Sequence, residues 1–293
     1  MNESIERELP ERKRLSGTAL RVATVVPLIP IILFMMFYDP SSPSMSWWRW
    51  VWHVFILGAI AVGGYEMMGM KVPHSQRLRL WGSVSSVAFA CAVIFGSSTA
   101  HVYVVVLLLI FATMVIGMLQ EDPLHNASVH IGWLLATPVY VGGALATVDL
   151  VRDFPPTGAW VLLAFAIAWG SDTSAYFVGR KFGKTKLAPR ISPKKTVEGA
   201  AGGLAGSVFF AVLISLFIPK LPVLDAIALA LVAGVAGQAG DLFESVLKRS
   251  SGVKDSGGIL PGHGGLLDRV DALVFTAPAT WIYGTFIAGF GSS

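Results

Sequence analysis

Charge is scarce in this chain. Of its 293 residues only 14% are Asp, Glu, Lys or Arg, against about 25% in an ordinary soluble domain. A water-facing globular surface cannot be covered with so few charges. Cysteine is nearly absent. Cys91 stands alone, which excludes a disulfide framework and leaves a small packing residue. The first apolar run also lacks the small-residue cleavage pattern of a signal peptide, so it reads as a retained span.

Long apolar runs are what the chain has in abundance, with 54% of its residues hydrophobic. From Arg21 onward these runs repeat at roughly 17–25 residues, the length that carries a helix across a bilayer. The composition predicts an all-α polytopic membrane protein, because only helices or closed barrels satisfy the backbone in lipid. Nine spans are expected, at 20–38, 49–70, 80–97, 101–119, 129–148, 158–178, 199–219, 223–247 and 271–290. With the N-terminus cytoplasmic, 19 of the 22 Lys and Arg fall on inner segments, and only Arg49, Arg152 and Lys220 fall outside. That asymmetry follows the positive-inside rule and puts the C-terminus outside. The net charge of +4 therefore speaks for anionic lipid headgroups and cytosolic phosphates, with no nucleic acid implied. Trp47, Trp48, Trp50 and Trp52 at the outer end of the second span read as an interfacial belt.

Acid is unevenly spread. Spans one to five carry almost no internal charge, Glu66 being the exception. Asp172, Glu198, Asp241, Glu244, Asp268 and Asp271 all lie in or beside spans six to nine. Residues 1–19 read as a cytoplasmic tail, 20–157 as a scaffold of spans one to five, and 158–293 as the working region with inner loops 179–198 and 248–270. Small residues at four-residue spacing, Gly199 to Gly203 and Gly202 to Gly206, predict close helix packing in span seven.

Charged groups inside a spanning helix are expensive and usually face a partner or a wet cavity. Asp172 and Asp241 each lie near the inner end of a span. Asp268 and Asp271 are three apart at the start of span nine, which suits one helical face. Asp241, Asp268 and Asp271 can thus converge at one depth. Carboxylate oxygens without nearby cysteine favour a hard cation such as Mg²⁺. The same spacing also suits helix-end ion pairs with Lys248, Arg249 and Arg269. In loop 179–198, Ser192, Lys194, Lys195 and Thr196 stand before span seven. There hydroxyls, ammonium groups and free helix N–H groups make a candidate anion site, or a solvated loop held by lipid headgroups. Gly179 to Thr185 has one residue too few between its glycines for a P-loop and follows a membrane helix. Of the histidines only His263, set between glycines, is placed to take part.

The segment from Ser245 to Asp271 carries the sharpest signal. It reads Ser-x-apolar-Lys-Arg, four residues, Lys-Asp, then Leu-Pro-x-His-Gly-Gly and Asp-Arg-x-Asp. Its fixed positions are Ser245, Lys248, Arg249, Lys254, Asp255, Pro261, His263, Gly264, Gly265, Asp268, Arg269 and Asp271. This resembles the signature of the phosphatidate cytidylyltransferases, or CDP-diacylglycerol synthases. Ser171 to Arg180 and Ser192 to Gly199 also resemble motifs of that family, although the position of Ser174 is commonly glycine there. The resemblance implies transfer of CMP from CTP to phosphatidic acid, with release of pyrophosphate at the cytoplasmic face of an inner membrane. It implies Mg²⁺ on Asp241, Asp268 and Asp271, with K⁺ as a second ion, and a homodimer. It implies that Lys248, Arg249, Lys254 and Arg269 meet phosphates, as do Ser192, Lys194, Lys195 and Thr196. His263, Gly264 and Gly265 would position a phosphate, and Asp172 would orient a basic residue or join the metal set. The rival readings are another CTP-using lipid kinase or transferase, an ion-coupled transporter with acids near mid-bilayer, and a structural scaffold, which leaves the glycine-rich charged segment unexplained.

Overall fold

The computed structural model describes residues 28–38, 47–119, 126–259 and 264–290. The expected tail at 1–19, the first part of span one and His263 lie outside the described residues. The described chain is helical apart from one small hairpin. In order it runs α1 (Leu28–Phe37), α2 (Trp47–Lys71), α3 (Gln76–Phe95), α4 (Thr99–Met118) and α5 (Ala127–Thr137). A π-helical segment (Pro138–Gly143) joins α5 to α6 (Ala144–Arg152). Then come α7 (Ala159–Phe182), β1 (Lys186–Ala188), β2 (Ser192–Thr196), α8 (Val197–Ser215), α9 (Val223–Ser250), α10 (Leu267–Val270) and α11 (Leu273–Phe286).

Seven of these helical stretches are long and apolar enough to cross a membrane: 47–71, 76–95, 99–118, 127–152, 159–182, 197–215 and 223–250. They match the middle seven of the nine expected spans. At the two flanks the described helices are shorter, 10 residues in α1 and 14 in α11. At 1.5 Å per residue, α11 covers about 21 Å. It nevertheless runs antiparallel to α9 over most of that helix's depth. Tyr283 near its end donates to Asp225 at the start of α9 at 2.7 Å, while Gly240, sixteen positions past Leu224, packs on the Asp271 carbonyl.

The end remote from Asp241 and the glycine-rich segment is closed by polar ties. Arg49 pairs with Asp153, and His53 Nδ1 meets Asp149 Oδ1 at 2.8 Å in a buried contact. Arg152 donates to the carbonyls of Met35 and Tyr38, the last turn of α1 and the residue after it. Orphan carbonyls at a helix end are thereby satisfied by a buried guanidinium. The tryptophan belt is only partly as expected. Trp47 and Trp50 are exposed, but Trp52 is buried in the core, because the helical period turns it towards α6 and under Arg152.

Helices α7 and α8 make the most extensive pair. The small-residue stripe explains why. Gly199, Gly203, Gly206 and Ser207 form the buried face of α8, and a Cβ at Gly199 would stand 3.2 Å from the Gly179 Cα. Loop 179–198 leads into span seven as expected, and within it Ser192–Thr196 forms a strand paired antiparallel with Lys186–Ala188. Pro193 has no N–H to give a helix, and the Thr196 hydroxyl caps α8 by accepting from Gly199 N at 3.1 Å. Glu198 then fixes the hairpin from below by accepting from Lys184 N and Thr185 N at 3.0 and 3.1 Å.

Candidate active site

Four elements converge on one cavity of about 340 Å³, a size within the range of small-ligand sites. The last turns of α7 give Asp172, Ala175, Tyr176, Gly179 and Arg180, one helical face at spacings of three and four. The hairpin gives Leu187, Lys194, Lys195 and Thr196, and the start of α8 gives Gly199 and Ala200. Gln238 and Asp241, three apart on α9, complete the wall. Gln238 is fixed by donating to the Ala200 carbonyl at 2.9 Å and to Ser171 Oγ at 3.3 Å. Lys195 makes an ion pair with Asp241, and both Asp241 and Lys195 act on Asp172 electrostatically. The two motifs around Asp172 and around Lys194 and Lys195, separate in sequence, thus share one wall with Asp241.

Beside the cavity lies the segment that follows α9. Lys248 is held between Glu244 Oε2 at 3.1 Å and Asp268 Oδ1 at 2.7 Å. Asp268 Oδ2 accepts from Ser256 N at 2.9 Å, Ser256 Oγ at 3.0 Å and Gly265 N at 2.9 Å. Burial pushes the Asp268 carboxyl up, but Lys248 and the Gly265 and Ser256 amides outweigh it and hold the pKa below the ordinary value. Gly264 sits at φ +82°, and a Cβ there would stand 2.9 Å from Asp268 Oδ2. The glycines expected to approach phosphate let the backbone approach this carboxylate.

Asp271 follows α10. Its Oδ1 accepts from Ala272 N at 2.8 Å, and Asp241, Glu244 and Asp172 are its electrostatic neighbours. Asp172, Asp241, Asp271, Lys194, Lys195 and Thr196 therefore gather at one end of the bundle, with Asp268, Lys248, Gly264 and Gly265 in the adjoining loop. Other expected residues stand apart. Ser192 sits further along the hairpin, outside the cavity wall. Arg249 donates to the Val253 carbonyl at 3.2 Å. Lys254 and Arg269 are exposed and do not line the cavity.

Glu244, noted in the sequence only as an acid of the working region, Gln238 and Tyr176 were not among the expected site residues. Position alone could have found the first two, since Gln238, Asp241, Glu244 and Lys248 recur at three- and four-residue steps along α9. Among the described residues no three Asp, Glu, His or Cys side chains are already posed to hold a metal ion. The chemistry of the donor set nevertheless fits a hard cation. Asp172, Asp241, Glu244, Asp268 and Asp271 outnumber Lys195 and Lys248, which are paired to them, and buried Glu244 Oε1 has no hydrogen-bond partner.

Fold and site together define an α-helical, polytopic protein with a polar, carboxylate-lysine cavity at one end of its helices. Residues 19–287 match the profile of the Cytidylyltransferase family, and the chain belongs to that family. Curated relatives named phosphatidate cytidylyltransferase include one from Brucella abortus biovar 1 (strain 9-941), 42% identical over 158 residues, covering 54% of this chain and 58% of the relative. The Bacillus subtilis (strain 168) protein is 38% identical over 179 residues, covering 60% and 64%. The protein from Synechocystis sp. (strain ATCC 27184 / PCC 6803 / Kazusa) is 47% identical over 131 residues, covering 44% of each chain. The chain spans about half the length of the curated relatives it matches.

Proposed function

We propose that this chain transfers CMP from CTP to phosphatidic acid, giving CDP-diacylglycerol and pyrophosphate. The reading rests above all on one cavity in which acids from α7 and α9 face lysines from the hairpin. Phosphates need cations and a polar pocket, while a diacyl lipid needs access from the bilayer. In the reaction, a phosphate oxygen of phosphatidic acid attacks the α-phosphorus of CTP. The bond from that phosphorus to the bridging oxygen breaks, and pyrophosphate leaves. The nucleophile is ionised near neutral pH, so the chain needs no activated serine or cysteine. Lys194, Lys195 and Arg180 would neutralise phosphate oxygens as charge moves to the leaving group, and Gln238 would help to orient the substrate.

Asp241, Asp268 and Asp271 are the residues that would hold Mg²⁺, with K⁺ as a second ion and Asp172 in support. Bound magnesium supplies charge neutralisation to the phosphates undergoing in-line transfer. Lys195 and Lys248 are then the counter-charges that such an ion would displace or share. Lys254, Arg249 and Arg269 would act at the surface, drawing CTP to the cavity.

Nine crossings, a cytoplasmic site, an inner-membrane location and a homodimer complete the proposal. The split of 19 to 3 in basic residues supports the orientation. After Cys91→Ser, cysteines placed at Lys254 and at Lys220 are expected to differ in intact cells. The second should react with a membrane-impermeant maleimide and the first only after lysis. The opposite pattern would invert the topology. The activity is tested by supplying purified protein with labelled CTP, phosphatidic acid and Mg²⁺. The expected products are lipid-linked CMP and pyrophosphate. Absence of both would overturn the reading.

A further inference from the structure

Glu66 is the single acid inside the first five expected spans, and none of the steps above uses it. It lies in α2, only 3% exposed, in the half of the chain expected to be scaffold. A carboxylate there is costly unless it is matched by donors. The donor comes from the far end of the sequence. Leu267 N donates to Glu66 Oε2 at 3.1 Å across 201 positions. Both arms of the glycine-rich segment fold onto it. A Cβ at Gly265 would come within 2.7 Å of Glu66 Oε2, and one at Gly257 would overlap Oε1.

The contacts continue towards the cavity. Ser256 and Gly265, which close around Glu66, are the residues whose N–H groups hold Asp268 Oδ2. Asp268 in turn holds Lys248, and Lys248 holds Glu244 on α9, one turn beyond Asp241. We propose that Glu66 is a positioning residue for the transfer reaction. Its buried carboxylate sets the two arms of the glycine-rich segment at one spacing, and through them fixes Asp268 and Lys248 beside the cavity. The inference rests on the proposed activity for its catalytic consequence, but its structural core does not. Hydrophobic packing alone would not single out a carboxylate. A leucine of similar size would leave the Leu267 amide unpaired.

The test uses full-length protein in detergent and reads two things. Hydrogen exchange reports the amides of Ser256, Gly265 and Leu267, with the α7–α8 pair as an internal control. Steady-state kinetics reports kcat and KM for CTP. In Glu66→Ala the three amides should lose protection while α7 and α8 keep theirs, and kcat should fall by about 100-fold, the cost of a small misplacement, with KM changed much less. Glu66→Gln keeps a carbonyl oxygen for Leu267 N and should restore most of both. If Glu66→Ala does not fold, Gly257→Ala presses on the same carboxylate from the loop side and should lower kcat in the same way. Loss of protection throughout α7 and α8, or wild-type kcat with the loop opened, would overturn the proposal. A wild-type protein that transfers no CMP would instead sink the proposed activity and leave the exchange result to judge Glu66.

Discussion

The cavity and the glycine-rich segment beside it use the same side chains in opposite ways. In the segment, charge is spent internally. Asp268 has Lys248, two amides and a hydroxyl; Glu66 has the Leu267 amide; Gly257, Gly264 and Gly265 leave just enough room for those carboxylates. In the cavity, charge is only partly spent. Asp241 has Lys195, but Asp172, Asp271 and Glu244 crowd the same region, and Lys194 and Arg180 line the wall. A satisfied network fixes shape, whereas an unsatisfied one invites a ligand. The densest sequence motif is therefore mainly a clamp, which holds Asp268 and Asp271 against the less dense wall.

Metal removal should produce the largest effect on this contrast. EDTA treatment is expected to abolish CMP transfer and Mg²⁺ to restore it, with little change in the thermal midpoint, because Lys248, two amides and a hydroxyl hold Asp268 in place. Full turnover in the chelated protein would end the case for a metal. Asp241→Asn and Asp271→Asn come next. Each should lower kcat by about 1,000-fold, the upper range for losing one preorganised electrostatic contact, while the protein still elutes as wild type on size exclusion. Near-normal turnover in either would remove that residue from the metal set. Asp268→Asn and Lys248→Met should separate the clamp from the cavity. Leaving one partner of a mostly buried ion pair alone costs about 3 kcal/mol. Lys248→Met takes the cation from both Asp268 and buried Glu244 and should unfold at clearly lower temperature, whereas Asp268→Asn leaves Lys248 its Glu244 partner and should lose less. Equal losses in the two variants would mean that Glu244 draws no stability from Lys248.

Much of this arrangement was legible in the sequence, for reasons that differ by residue. The seven long helices follow from apolar run length, and the tight α7–α8 pair follows from glycines at four-residue spacing. Asp172, Lys194, Lys195 and Asp241 were nameable because charge in an apolar chain is conspicuous. Their meeting in one cavity was not, since it depends on how α7, α8 and α9 pack. The hairpin at 186–196 was hidden by its brevity; three paired residues in β1 leave no periodic trace. Ser192 shows the limit of motif reading. It belongs to the same short motif as Lys195, yet the strand carries it past the cavity. Glu66 was visible as an anomaly, but its partner stands 201 positions away, a distance that no local pattern spans. Trp52 looked like its three neighbours until the helix turned it inward.

Within the hairpin the smallest effects make the finest test. Lys194 lines the cavity and is exposed enough to meet a mobile phosphate. Lys194→Ala should raise the KM for CTP or phosphatidic acid several-fold, consistent with about 1 kcal/mol for a solvent-exposed charge contact, and leave kcat nearly intact. Ser192, two positions along the same strand, pairs with Ala188 through its backbone and lies outside the cavity wall. Ser192→Ala should leave both constants within error of wild type. Equal KM increases in the two variants would mean that the whole strand contacts substrate, and the boundary of the cavity would have to move outward along β2. An unchanged KM in Lys194→Ala would shift the phosphate contact to Lys195 and Arg180 on the same wall.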